Sequence, residues 1–167
     1  MAASRTGNAW DEGDAGAAML AANINPSTGL ATDYLNHFNE ITMLIGLVAD
    51  MPEIMDDILA WRPATYEEHF ERSGFTSRAL AIAAYRAAPE KVTDALLAAV
   101  AALDAAVLRT VAALEAAPPS AYGRIVLAGE AAIRPLMGRA AGIIHGIEFD
   151  EDQMPEASQV AIDALLE

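Results

Sequence analysis

The chain contains no cysteine, which excludes several kinds of site at once. Disulfide bonds, thiol nucleophiles, cysteine-ligated zinc and iron–sulfur clusters all require that residue. Glycine-rich phosphate loops are also missing, because no stretch matches GxxxxGK or GxGxxG. A nucleophile elbow is absent as well. The sequence therefore offers no strong catalytic motif.

Positive charge is scarce. Ten Lys and Arg stand against 24 Asp and Glu, which gives a formal net charge of −14, and Lys91 is the only lysine. A nucleic-acid-binding protein needs a basic surface that displaces counterions from phosphates. An anionic membrane surface attracts basic residues in the same way. We therefore expect neither nucleic acid nor a membrane as partner, and instead a protein that is neutral or basic.

Long uncharged apolar runs are also rare. The start of the chain, residues 1–7, lacks the apolar stretch of a secretory signal. The apolar run of residues 41–49 ends at Asp50 and is short against the roughly 20 residues that span a bilayer. These features predict a cytoplasmic protein.

Alanine is abundant, at 38 of 167 positions, and hydrophobic residues make up 54 % of the chain. Alanine is the best helix former, and this length suits one domain. The composition therefore predicts a single-domain, all-α helical bundle. Its predicted spine is an antiparallel hairpin of two long helices, residues 89–117 and 120–146, separated by a proline pair.

The pattern of breaks divides the chain into three parts. Residues 1–31 are predicted to form a partly irregular N-terminal arm, and residues 32–146 the helical bundle. Residues 147–167 form an acidic tail that could include a short helix. Polar side chains at helix starts are predicted as N-caps, namely Thr32, Asp50, Thr65, Thr76 and Ser120. Thr65 also has Glu three residues later, the pattern of a capping box.

One helix carries a candidate metal site. His37 falls at the edge of the apolar stripe of the helix beginning at Thr32, with Asp33 four residues before it and Glu40 three after. Imidazole and carboxylates suit zinc, iron or manganese. The alternative is a structural histidine that is hydrogen-bonded to Glu40 or to a backbone carbonyl.

Asp104 is the second unusual residue, because it lies amid the apolar face of the long helix. A carboxylate there needs a partner, and we expect His37, an arginine or a helix cap. A divalent metal held by His37, Glu40, Asp33 and Asp104 would define a metal-binding hydrolase or oxidoreductase. If no metal is held, Asp104 is a structural residue.

Aromatic residues make up only 6 % of the chain, yet several of them gather in its middle. Trp61, Tyr66 and Phe70 lie on short helices that prolines interrupt. Such a cluster with an acidic rim is typical of a docking surface for a basic partner. The alternative is a lid of short helices packed onto the hairpin.

The segments ATDYLNHFNE (31–40), MPE (51–53) and WRP (61–63) with YEEHF (66–70) resemble small uncharacterised proteins of proteobacteria. The resemblance covers residues 31–88. It implies a bacterial, cytoplasmic origin and assigns no activity, cofactor or site role.

The leading hypothesis is a non-catalytic regulatory or protein-interaction bundle, with a homodimer formed through alanine- and glycine-rich faces. The metal-binding bundle is the alternative from the enzyme class. A third hypothesis is the binding of a small apolar ligand between the helices, which requires an internal cavity.

Overall fold

The computed structural model describes residues 14–147, and this part of the chain is mainly helical. The all-α class is confirmed. The helices and strands are α1 (Asp14–Ala21), β1 (Ile24–Asn25), β2 (Leu30–Ala31), α2 (Asn36–Leu47), α3 (Met55–Ala60), α4 (Tyr66–Arg72), α5 (Arg78–Ala87), α6 (Glu90–Glu115) and α7 (Tyr122–Ile144), with short 3-10 turns at Thr32–Leu35, Pro52–Ile54 and Pro119–Ala121.

Helices α6 and α7 form the most extensive interface between elements. Their bounds agree with the predicted long helices to within two residues, because their apolar residues repeat with the helical period. Thr110 packs against Gly129, where an added Cβ would lie 2.8 Å from the threonine Oγ1. Gly138, in contrast, has no neighbour in this position within 4 Å. The antiparallel direction of the pair stays a prediction.

The core is formed by residues from nearly every element. Helix α2 buries Phe38, Ile41 and Ile45, which belong to the predicted apolar stripe. The α-helix begins only at Asn36, because residues 32–35 form a 3-10 turn. The largest fully buried side chains are Tyr34, Phe38, Phe70, Met19, Ile24, Leu30, Ile41, Ile45, Ile58, Leu96, Leu103 and Leu114.

The segment before α2 packs into this core and contains a small antiparallel sheet. Ile24 pairs with Ala31, and Asn25 with Leu30. The sheet was not predicted, since strands of two residues are too short to show an alternating pattern. Gly29 sits in the turn with φ +72°, so a glycine is favoured there. Residues 1–13 and the acidic tail from residue 148 lie outside the described residues.

One of the five predicted N-caps is confirmed. Thr65 Oγ1 accepts from the Glu68 N–H at 3.2 Å, and the Glu68 carboxylate accepts from the Thr65 N–H at 2.9 Å. The other four were wrong: the N-cap positions fall on Ala31, Met51, Ser77 and Ala121, and no side chain bonds to the helix at any of these. The 3-10 turns before α2 and α7 supply backbone hydrogen bonds there instead, and so a capping side chain is not required.

Helix α6 is the one helix within residues 14–147 that is long and apolar enough to cross a membrane, by length and composition alone. The sequence interpretation missed it because Asp104 and Arg109 interrupt the apolar run. Only 33 % of its most apolar stretch is buried in the fold. A large apolar face of α6 is therefore exposed.

Candidate functional site

His37 lies in a cluster of aromatic rings. Its imidazole stacks on the Trp61 indole, with ring centroids 4.8 Å apart and an interplanar angle of 25°. Trp61 Nε1 donates to the His37 carbonyl oxygen at 3.2 Å. The edges of Phe38 and His69 approach the same imidazole at centroid distances of 5.0 and 6.2 Å. The ring is thus held by aromatic contacts on several sides.

The buried Nε2 of His37 has no hydrogen-bond partner among the described residues. The expected acceptor, Glu40, is exposed. Burial, with smaller effects of His69 and Arg72, lowers the pKa of His37 to about 4. His37 is therefore neutral at physiological pH, in a half-buried position at the edge of the core.

Asp33 pairs with a different histidine. Its Oδ2 lies 3.3 Å from Nε2 of His69, and its Oδ1 accepts from the Asn36 side-chain amide at 3.0 Å. His69 comes from α4, 36 residues further along the chain. Local sequence patterns do not predict contacts between residues so far apart in the chain, and the Asp33–His69 pair was therefore not predicted.

The predicted metal ligands are not grouped. Among residues 14–147, no three His, Asp or Glu side chains lie close enough together to hold a metal ion. Asp33 contacts His69, Glu40 faces solvent, and Asp104 lines a pocket to which His37 does not contribute. A metal held by His37, Glu40, Asp33 and Asp104 stays a hypothesis without an assembled ligand set.

Asp104 has none of the predicted partners. No hydrogen bond or ion pair within the described chain joins it to His37, to an arginine or to a helix end, and its Oδ1 is buried and unpartnered. The side chains that line the pocket with Asp104 include no Lys, Arg or His that could supply a positive charge. Burial raises the pKa of the Asp104 carboxyl to about 6. The group is consequently ionised at neutral pH without a compensating charge.

Asp104 lines a cavity of about 290 Å³ between the 63–65 loop, α4, α5 and α6. Two acids, three tyrosines and a set of apolar side chains form its walls, and no Lys, Arg or His contributes. The lining consists of Tyr34, Pro63, Ala64, Thr65, Tyr66, Glu68, Tyr85, Leu96, Leu97, Val100, Ala101 and Asp104. Sequence reasoning singled out Asp104 but did not place it in a pocket.

The tyrosines of the pocket are fixed by contacts with each other and with the backbone. Tyr66 stacks on Tyr85 at a centroid distance of 4.5 Å. The Tyr34 hydroxyl donates to the Ala64 carbonyl at 2.9 Å, and the Tyr66 hydroxyl accepts from the Ala31 N–H at 2.8 Å. Burial raises the pKa of Tyr34 and of Tyr66. These rings are neutral, rigid walls.

The aromatic residues predicted as a partner-binding surface are buried. Phe70 is fully enclosed, while Tyr66 and Trp61 expose 3 % and 8 % of their surface. Their faces are used in ring contacts within the protein, such as Tyr66 on Phe70 at 4.7 Å. The structure therefore favours the lid interpretation of these short helices.

No protein-family model, curated protein or solved structure matches this chain. The resemblance to proteobacterial proteins stays a prediction. The pocket geometry is thus the main guide to function.

Proposed function

We propose that this protein is a non-catalytic binding bundle whose pocket takes up a positively charged group of a partner. The observation that carries this proposal is the Asp104 carboxylate, which lies in the cavity without a partner among the described residues. A half-buried carboxylate with one enclosed, unpartnered oxygen is destabilising, and a cation with N–H donors would supply both the missing charge and the missing hydrogen bonds.

The remaining walls also suit a cationic group on an apolar stem. Leu96, Leu97 and Val100 offer apolar surface to a methylene stem. The chain has a net charge of −14, so its field attracts cations towards the pocket.

The polar groups around the pocket support binding rather than catalysis. Glu68 is engaged in the capping box, and the Tyr34 and Tyr66 hydroxyls have backbone partners. A general acid or base needs a free group whose pKa lies near the working pH. Asp104 alone fulfils this, and the Thr65, Tyr34 and Tyr66 hydroxyls of the lining are already engaged in hydrogen bonds. A regulatory or interaction role fits such a site.

Titration with butylguanidinium at a protein concentration where the chain is monomeric, followed by NMR, tests the proposal. We expect shifts of the amide signals that line the pocket, and binding at least tenfold weaker for the neutral analogue butylurea. Asp104→Asn should abolish the difference between the two compounds. Asp94→Asn, at an exposed position of the same helix, should preserve it. Equal binding of both compounds to the wild type would refute the proposal.

A further inference from the structure

The outer face of α6 is apolar and has no covering element among the described residues. Leu97 and Leu108 expose 54 % and 43 % of their surface. The exposed or half-buried alanines of this face are Ala98, Ala101, Ala102, Ala105 and Ala112, and exposed Asp94 and Glu115 lie at its two ends. An exposed apolar patch of this kind on a strongly acidic protein is typical of an interaction site.

The small residues of this face follow the spacing of a two-stranded coiled coil. Ala98, Ala101, Ala105, Leu108 and Ala112 are separated alternately by three and four residues. This alternation is the a/d repeat of two heptads and covers about 21 Å of helix. Alanine at most of these positions permits a close approach of two helices. We call these five residues the α6 seam.

Two oppositely charged residues flank the seam. At 100° per residue, Asp104 lies on one edge and Arg109 on the other, about 140° apart. They occupy the g and e positions of the repeat, five residues apart. Asp104 Oδ1 and Arg109 Nε are both buried atoms without a hydrogen-bond partner in the described chain.

The direction of pairing follows from these edges. When two such helices run parallel about a two-fold axis, each g residue meets the e residue five positions later in the other copy. Asp104 would then face the partner's Arg109, and symmetry forms this pair twice. In an antiparallel pair like edges meet, which would set Asp104 against its own copy. Charge complementarity therefore selects the parallel arrangement and a second copy as the occupant.

We propose that a second copy of this chain packs parallel along the α6 seam, so that the partner's Arg109 supplies the cation to the Asp104 pocket. This inference rests on the proposed function and names its partner. The pocket and the seam are adjacent, since Leu97 and Ala101 line the pocket and are also exposed on the outer face of α6.

Charge reversal tests the pairing. Sedimentation velocity should show a dimer for the wild type and at least tenfold weaker association for Asp104→Arg and for Arg109→Asp. A mixture of the two single variants should associate again, because both pairs of the mixed dimer are complementary. Circular dichroism confirms that each variant is folded. Arg134→Asp, exposed on α7, should dimerise like the wild type. Failure of the mixture to associate would overturn the inference.

Disulfide cross-linking tests whether the two α6 helices run parallel. The chain has no native cysteine, so only the introduced residue can form a disulfide. Ala98→Cys and Ala112→Cys should each form a disulfide-linked dimer under mild oxidation, because like positions of the seam meet only in parallel helices. Ala87→Cys, exposed on α5, is the control and should stay monomeric. A failure of both seam variants to cross-link would contradict parallel pairing.

Failure of this inference can be distinguished from failure of the proposed function. A monomeric wild type that still binds butylguanidinium through Asp104 would refute the second copy and leave the cation pocket standing. A dimer that persists in Asp104→Arg would refute the role of the pocket. A monomer that floats with phosphatidylcholine vesicles would also overturn the inference, with a membrane as the occupant of the face.

Discussion

The imidazole of His37 lies flat against the Trp61 indole, and the indole N–H donates to the His37 backbone at 3.2 Å. Two contacts thus join the start of α2 to the end of α3 through the same pair of residues. Trp61 exposes only 8 % of its surface, so the indole shields one face of the imidazole from water. A charged imidazole would be poorly solvated in this position.

We expect the free energy of unfolding to fall on acidification because of His37. The pKa of His37 is about 4 in the folded protein and about 6.5 in the unfolded chain, so the unfolded chain binds more protons between these values. The contribution of the neutral imidazole to the free energy of unfolding is fully present above pH 6.5 and is lost as the pH falls towards 4. Between pH 7 and 5, the wild type should lose about 1 to 2 kcal/mol more than His37→Phe in urea unfolding.

The control for this experiment is His145→Gln, which changes an exposed histidine at the end of α7. It should retain the pH dependence of the wild type. If His37→Phe and the wild type lose the same free energy between pH 7 and 5, the inward, desolvated imidazole is ruled out.

Asp104→Asn should stabilise the monomer at alkaline pH. Burial raises the pKa of the Asp104 carboxyl from 3.8 to about 6, so the folded protein holds its proton more tightly than the unfolded chain. The penalty of ionisation is absent below pH 4 and complete above pH 6. We expect the variant to gain about 1 to 2 kcal/mol at pH 8 and almost nothing at pH 4.

Urea unfolding at a protein concentration where the chain is monomeric measures this difference, since a partner's guanidinium would compensate the charge. Asp94→Asn, exposed on the same helix, should change the free energy of unfolding little at either pH. A gain that is equal at pH 4 and pH 8 would contradict an ionised, desolvated Asp104.

The long helices could be predicted because their signal is local. Apolar residues repeat over many turns of α6 and α7, and Thr65 with Glu68 is a complete four-residue capping pattern. Ser120 has the residue type of an N-cap, but the Ala121 N–H donates to the Pro118 carbonyl within a 3-10 turn. Whether a turn of this kind precedes a helix depends on the path of the chain, which a capping residue alone does not define.

The site could be predicted only in part. Asp104 is visible in the sequence as a charge on an apolar face, but its surroundings come from Tyr34, Tyr66 and Tyr85 on other elements. Asp33 was assigned to His37 because the two share a helix surface, whereas folding brings in His69 from α4. Helical periodicity orders neighbours on one helix and carries no information on which helices meet.

Gly129→Ala should destabilise the protein. The new Cβ would meet Thr110 Oγ1 at 2.8 Å and would come still closer to the threonine methyl. Thr110 cannot easily rotate away, because its hydroxyl donates to the Ala106 carbonyl at 2.9 Å and the residue is buried. Overpacking of this kind costs about 1 to 3 kcal/mol.

Gly138→Ala provides the matched control on the same helix, since no atom lies within 4 Å of its added Cβ. It should stabilise the protein by up to about 1 kcal/mol through helix propensity. Thermal unfolding followed by circular dichroism compares the two. Equal effects of the two substitutions would refute the close contact between α6 and α7 at Thr110.

Tyr66→Phe should lower the free energy of unfolding by about 1 to 3 kcal/mol, because it removes a hydrogen-bond acceptor of a buried backbone N–H. The Tyr66 hydroxyl accepts from the Ala31 N–H at 2.8 Å, and Ala31 is fully buried in β2. Tyr85→Phe is the control, as Tyr85 stacks on the same ring and its hydroxyl has no hydrogen bond within the described chain. Urea unfolding should show little change for Tyr85→Phe, and hydrogen exchange at Ala31 should accelerate only in Tyr66→Phe. If both variants lose the same stability while the Ala31 amide stays protected, the small sheet is not anchored through this hydroxyl.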